Sequence, residues 1–166
     1  MKPLTTCLTL AAVPTAARCS RVLVEQALTQ WHLPHLMDDA ALITSELVTN
    51  AVQATGLTDG SPRWSQLTGL AVIWVRCTCF DTTVRVEVWD RSPTPPITRS
   101  PQSDDEDGRG LEIVEALAMR WDYFMHNGGK VVWAELPVYA LAVTTQLPPE
   151  RDPVVLARVR EGLLRM

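Results

Sequence analysis

The sequence predicts an α+β fold in which a mixed, mostly antiparallel sheet carries helices on one of its faces. Three observations indicate this fold: apolar residues recur at helical spacing in two segments before residue 56, two strand-like runs adjoin between residues 70 and 89, and two more flank a glycine turn at residues 127–129. Amphipathic helices must bury their apolar stripe, and a sheet face provides the matching surface. A chain of 166 residues is expected to form one such core.

The N-terminal third is expected to hold one strand and two helices. Alternation around Leu8 indicates the first strand, and an apolar stripe over residues 15–31 indicates the first helix. Pro34 ends that helix, because proline disrupts the helical hydrogen-bond pattern. A second helix is predicted over residues 36–54, and Gly56 ends it.

The second half is expected to hold two strand pairs and a third helix. Residues 70–80 and 84–89 are rich in β-branched and aromatic side chains and predict an antiparallel hairpin. A helix is predicted over residues 110–119. Residues 121–126 and 130–136 are then expected to pair across the glycine turn.

The predicted core domain spans residues 1–138, and residues 139–166 are expected to form a linker and a short C-terminal helix. Prolines punctuate the linker, and the helix has an apolar stripe formed by Leu156, Val159, Leu163 and Met166. Two roles remain open for this helix: docking on the parent domain, or binding a protein partner or a second copy of the chain as a homodimer.

Composition excludes several classes of function. The net charge of −4 and the scattered Lys and Arg residues argue against direct nucleic-acid binding. No apolar run approaches the ~20 residues that span a bilayer, so a cytoplasmic protein without membrane association is expected. His32 and His35 are expected to be surface residues. Free thiols, rather than a metal or redox site, are expected for Cys7, Cys19, Cys77 and Cys79.

The most informative motif is a Glu and an Asn four residues apart in the second predicted helix. Glu46 and Asn50 should lie on one helix face, a single turn apart. An Asn oxygen can join the coordination shell of a hard cation, and a Glu can orient or deprotonate a nucleophile. A solvated Glu and an ordinary helix Asn remain the alternative for the pair alone, because this spacing is common by chance.

Two later segments also carry side chains or backbone suited to a ligand. The second strand of the hairpin ends in a carboxylate, Asp90. Farther on, Gly108, Arg109, Gly110 and Leu111 form a Gly-x-Gly-Leu segment that opens a helix. Backbone N–H groups at such a helix start bind phosphate, and glycine lets the phosphate approach closely. Each segment alone is weak evidence, so their order along the chain matters most.

That order resembles the GHKL ATP-binding family, which includes histidine-kinase catalytic domains, type II topoisomerases, mismatch-repair ATPases and bacterial anti-sigma-factor serine kinases. The likeness is greatest to the last group and to short regulatory ATP-binding proteins related to it. It covers roughly residues 5–138 and rests on residues 45–51, 90–93, 108–111 and 129–136. The resemblance implies a two-layer α/β sandwich of the GHKL type.

The resemblance also implies a role for each motif residue. Asn50 would help to hold Mg²⁺ on the phosphates of ATP, and Asp90 would accept a hydrogen bond from the adenine amino group. Glu46 matches the acidic residue that polarises the attacking hydroxyl or water in active members. The phosphates would be bound by the loop residues Gly108, Arg109, Gly110 and Leu111.

Two features depart from the family pattern, and a third segment has two possible interpretations. The usual D-x-G-x-G box is Asp-Arg-Ser-Pro-Thr at residues 90–94, so looser adenine binding is expected, although the Ser-Pro form recurs in the short regulatory branch. Val131 is expected to replace a late-strand Thr that fixes a water beside the adenine. Residues 91–108 correspond to the ATP lid, but a solvated linker is the alternative because the acidic run at residues 104–107 would repel phosphates.

Two functions therefore compete. The first is a serine/threonine protein kinase of the anti-sigma type that regulates transcription by phosphorylating a small partner, with a sigma factor or an anti-anti-sigma-like protein as partners. The second is a non-catalytic ATP-binding module for protein interaction. A detached histidine-kinase catalytic domain is a third alternative, but none of the three His residues is followed by an acidic residue.

Overall fold

Five strands form one open sheet in the order β1-β2-β3-β5-β4. The structure is a computed structural model that describes residues 2–56, 70–96 and 110–139. In chain order the elements are β1 (Leu4–Ala11), α1 (Ala16–Gln30), a 3-10 turn (Pro34–Leu36), α2 (Met37–Thr55), β2 (Val72–Cys79), β3 (Thr83–Asp90), α3 (Gly110–Leu117), β4 (Arg120–His126) and β5 (Gly129–Pro137).

The predicted α+β class is confirmed, and each predicted helix and strand within the described ranges is present. The expectation of a mixed sheet needs correction, because every described strand pair is antiparallel. The strand order explains why no parallel pair occurs among the described strands. β3 and β4 run in the same direction, but β5 lies between them and is antiparallel to both.

One sheet face packs against the helices. Alternate residues of β3 and β5 lie opposite each other on this face and are buried: Val84 with Leu136, Val86 with Ala134, and Val88 with Val132. The apolar stripe of α2 covers them with Ile43, Leu47, Val48 and Ala51, each at most 2% exposed. Continuing the alternation by one step places Asp90 and Lys130 on this same face, at the end of the core.

The opposite sheet face carries two groups of ion pairs. Arg76 donates to both carboxylate oxygens of Glu87, at 2.6 and 2.9 Å. Glu135 is 1% exposed and accepts from Arg85 Nε at 2.7 Å and Arg120 Nε at 2.6 Å. Burial alone would raise the pKa of the Glu135 carboxyl, but hydrogen bonds from the two arginines outweigh it and lower that pKa. Glu135 therefore stays ionised and joins β3, β4 and β5.

A two-residue turn joins β4 to β5. Asn127 and Gly128 have φ angles of 48° and 74°, as a type I′ hairpin turn requires. Asn and Gly are the residues that adopt this conformation most readily, which explains why the sequence turns here.

The four cysteines are free thiols in the structure. Burial is the main cause that raises the pKa of the Cys77 thiol to about 12, so Cys77 acts as a small core side chain rather than a nucleophile. The exposed side chain of His35 makes a hydrogen bond, in which its Nε2 lies 2.8 Å from the carbonyl oxygen of Val138. Within the described ranges, no three His, Cys, Asp or Glu side chains are grouped as a metal site.

No helix among the described residues is long and apolar enough to cross a membrane. The expected C-terminal helix with Leu156, Val159, Leu163 and Met166 lies outside the described residues, as does most of the expected lid.

Candidate functional site

A cavity of about 430 Å³ lies at the end of the core where β3 and β5 meet α2. Its volume is within the range of small-ligand sites. Apolar side chains form its walls, namely Leu47, Val88, Leu111 and Val132, and its polar lining includes Asn50, Asp90, Ser92 and Lys130. The cavity therefore combines an apolar slot with polar groups at separate positions.

The start of α3 packs directly on the Glu46 and Asn50 face of α2. A Cβ added to Gly110 would lie 2.7 Å from Glu46 Oε2 and 3.4 Å from Asn50 Oδ1. Only glycine leaves both side chains undisturbed at this position. The structure thus brings a carboxylate, a carboxamide and the N-terminus of a helix to one end of the cavity.

Glu46 and Asn50 differ in their relation to the cavity. Asn50 lines it, whereas Glu46 lies beside it against Gly110. Both side chains are half-buried. Burial raises the pKa of the Glu46 carboxyl above its ordinary value, because the charged form loses solvation. A carboxylate of raised pKa is a stronger proton acceptor at neutral pH.

Asp90 and Lys130 form a buried ion pair in the wall of the cavity. They face each other across the β3–β5 ladder, and Lys130 Nζ lies 2.9 Å from Asp90 Oδ1. Asp90 is 1% exposed and Lys130 is 5% exposed. The backbone N–H of Ser92 also donates to Asp90 Oδ1, at 2.8 Å. Two donors therefore fix the orientation of the Asp90 carboxylate through its Oδ1.

The sequence indicated Asp90 but missed Lys130. Val131 was expected to stand where the family has a Thr that fixes a water beside the adenine. This assignment is wrong in the structure, because Val131 pairs with Trp89 on the other sheet face, while Lys130 and Val132 line the cavity. The strand alternation could have revealed this, because residues 130 and 132 share a face and residue 131 does not. The β3–β5 register was the missing information.

Gly129 holds β5 close to the end of β3. A Cβ on Gly129 would lie 2.0 Å from the carbonyl oxygen of Asp90, so only glycine permits this approach. This contact fixes the backbone of Asp90 immediately next to its ion pair with Lys130.

The segment after β3 contributes one cavity wall through Ser92, Thr94, Pro95 and Pro96. The Ser92 Oγ accepts a hydrogen bond from the Thr94 N–H at 3.2 Å, which shapes the turn that follows Asp90. Of the predicted Gly-x-Gly-Leu loop, Gly110 and Leu111 border the cavity. Gly108 and Arg109 lie outside the described residues.

A comparison with protein-family models finds a match over most of the chain. A model described as the histidine kinase-like ATPase domain matches residues 8–136, which include the α2 motif, Asp90, Gly110 and Lys130. The chain belongs to the histidine kinase-like ATPase family. The suspected GHKL resemblance is thereby confirmed, and the family assigns ATP as the class of ligand for this ATPase domain.

A solved structure shares the fold of this ATPase domain. The crystal structure of the RsbU and RsbW domains of Rv1364c from Mycobacterium tuberculosis matches 81% of the chain at 24% identity and a TM-score of 0.51. The match covers 32% of that protein, so this chain spans about a third of its length. The catalytic domain of the histidine kinase ThkA matches 80% of the chain and 95% of its own length, at 20% identity and a TM-score of 0.42. No curated protein sequence matches.

Proposed function

We propose that this protein binds ATP with Mg²⁺ in the cavity and transfers the γ-phosphoryl group to a serine or threonine of a small regulatory protein. The observation that carries the proposal is the contact of Gly110 with both Glu46 and Asn50. It brings a carboxylate, a carboxamide and a helix N-terminus together, and these groups would serve as proton acceptor, Mg²⁺ ligand and phosphate-binding site.

The remaining lining supports the same orientation of ATP. The apolar walls suit the planar base, and Asp90 would provide an acceptor for the adenine amino group. The backbone N–H groups at the start of α3 would bind the phosphates, together with Gly108 and Arg109 from the preceding loop.

The chemistry of Asn50 fits a magnesium ion. Mg²⁺ in nucleotide sites takes few ligands from the protein and completes its shell with water and phosphate oxygens, so one carboxamide oxygen is a suitable donor. Asn50 also lines the cavity in which ATP would bind. When bound, Mg²⁺ would offset the negative charge of the phosphates.

Glu46 would act as the general base. It accepts the proton of the attacking hydroxyl while the bond between the γ-phosphorus and the bridging β–γ oxygen breaks, and ADP leaves. The raised pKa of Glu46 favours this role. In the proposed pathway the partner is an anti-anti-sigma-like protein, a sigma factor is a second partner, and the chain acts as an anti-sigma-type regulator of transcription.

A non-catalytic ATP-binding module is the second candidate. The observation that favours it is the position of Glu46 beside the cavity rather than in its lining. In that case ATP would only order the loop after β3 and present a surface to a protein partner.

Replacing Glu46 with Gln separates the two functions. The partner is first recovered by pull-down from native cells with and without Mg-ATP, and transfer of labelled phosphate to it is then measured. For a general base, Glu46→Gln should keep nucleotide affinity while transfer falls by about 10²- to 10⁴-fold.

Glu115→Gln is the matched control, because Glu115 is an exposed residue of α3. It should transfer phosphate as the wild type does. Undiminished transfer by Glu46→Gln would exclude the base role, and absence of transfer by the wild type to its recovered partner would favour the binding module.

A further inference from the structure

The Asp90–Lys130 pair is unusual in its position, because both charges lie at the wall of a ligand cavity and yet are almost fully buried. Removing a carboxylate and an ammonium from water costs free energy, which mutual attraction and hydrogen bonds must offset. The neighbouring positions of β3 and β5 on this face are apolar, so packing of the strands does not require charged residues here. We therefore expect the pair to have a role in ligand binding.

The hydrogen bonds leave specific atoms for a ligand. Both bonds that described residues make to Asp90 end on Oδ1, from Lys130 Nζ and from the Ser92 N–H. The second carboxylate oxygen, Oδ2, accepts neither of these bonds, so it remains to accept one from a ligand. An ammonium carries three protons, and the contact with Asp90 uses one of them. The cavity wall thus presents an acceptor and a donor side by side.

This order matches adenine. The amino group at position 6 donates and the neighbouring ring nitrogen N1 accepts, so Asp90 meets a donor where Lys130 meets an acceptor. In guanine the same two positions carry a carbonyl oxygen and an N–H group, which reverses both contacts. The pair would therefore distinguish adenine from guanine at two adjacent purine positions, the 6-substituent and N1, rather than at one.

We propose that Lys130 is a base-recognition residue that donates a hydrogen bond to adenine N1 while Asp90 Oδ2 accepts from the 6-amino group. The inference rests on the proposed binding of ATP in this cavity. Lys130 would then supply the contact that was expected to be lost with Val131, but with a charged donor instead of a hydroxyl and water.

The decisive test uses ATP analogues and needs no variant. 1-Deaza-ATP replaces N1 by a C–H group and keeps the 6-amino group, whereas 7-deaza-ATP changes a ring position away from this edge. A hydrogen bond to a charged donor corresponds to roughly tenfold or more in affinity. Titration of the wild-type protein should show 1-deaza-ATP binding at least about tenfold more weakly than ATP. 7-Deaza-ATP should bind about as well as ATP.

The Lys130→Met variant assigns the effect to this side chain. It should weaken ATP binding and bind ATP and 1-deaza-ATP equally, because the donor to N1 is gone. Since this variant leaves Asp90 buried without its ion pair, the double variant Asp90→Asn with Lys130→Met provides a neutral pair for the same measurement if the single variant does not fold.

Each outcome has a separate meaning. If wild type binds no ATP, the proposed function fails. If it binds ATP and 1-deaza-ATP equally, the proposed function stands and the role of Lys130 in base recognition is refuted, leaving it as the counter-ion of Asp90. If Lys130→Met retains the wild-type difference between the two nucleotides, another group donates to N1 and the assignment is also refuted.

Discussion

Replacing Gly110 with Ala tests the phosphate end of the cavity with a single methyl group. The new Cβ would lie 2.7 Å from Glu46 Oε2, well inside van der Waals distance, and 3.4 Å from Asn50 Oδ1. Glu46 can rotate away, because the contact is with the end of a flexible side chain, so the folded state should lose less than about 1 kcal/mol. The groups proposed to contact the phosphates should nevertheless be displaced.

The expected signature is a loss of ligand stabilisation without a comparable loss of stability. At a ligand concentration about a hundredfold above Kd, binding stabilises the folded state by about 2.7 kcal/mol. For a domain of this size that corresponds to a rise in Tm of roughly 5–11 °C. Thermal unfolding of the wild type with Mg-ATP should show this rise, and Gly110→Ala should show at most a small part of it at the same nucleotide concentration.

Gly128→Ala is a control that should lower stability without affecting ATP binding. No atom lies within 4 Å of a Cβ there, but the φ of +74° strains an L residue, so stability should fall by about 1–2 kcal/mol while the ATP-dependent rise persists. The reasoning is refuted if Gly110→Ala keeps both wild-type stability and the full rise in Tm with Mg-ATP.

Two further variants test other parts of the structure. Asn50→Ala should remove the Mg²⁺-dependent part of the ATP-induced rise in Tm, and an unchanged Mg²⁺ dependence would contradict the role of its side-chain oxygen. Glu135→Gln should destabilise the fold by about 1–3 kcal/mol at pH 7, because it weakens the hydrogen bonds from Arg85 and Arg120. Because the pKa of Glu135 is lowered from its ordinary 4.5, its contribution is present above that value and is lost as pH falls through the folded-state pKa. Urea unfolding should therefore show the wild type and Glu135→Gln converging at acid pH, with the exposed Glu115→Gln as control; a constant difference down to pH 3 would contradict this.

Local periodicity predicted the elements well because each has a strong pattern of its own. The second helix was expected over residues 36–54 and runs over Met37–Thr55, and the strand expected at 84–89 runs over Thr83–Asp90. The order of strands was not predicted. β5 inserts between β3 and β4, and nothing in the local sequence specifies that non-neighbouring pairing.

The residues of the candidate site also differ in how far the sequence alone predicts their positions. Glu46 and Asn50 share a face because of helix geometry alone, so their spacing in the sequence was sufficient. Lys130 was missed because its position opposite Asp90 depends on the register of two strands forty residues apart in sequence. Val131 was misassigned by one residue, and one residue reverses the face on which a strand side chain lies.

The Asp90–Lys130 pair also constrains how this protein can evolve. Loss of the charge at either position alone leaves the other charge uncompensated in the interior, at a cost of about 3–5 kcal/mol. Domains are commonly stable by only about 5–15 kcal/mol, so many such intermediates would unfold too often to persist. A lineage could reach a different arrangement at this wall only through a paired substitution or after prior stabilisation elsewhere. Divergence should therefore preserve these two positions together or exchange them together, even where the surrounding apolar residues drift freely.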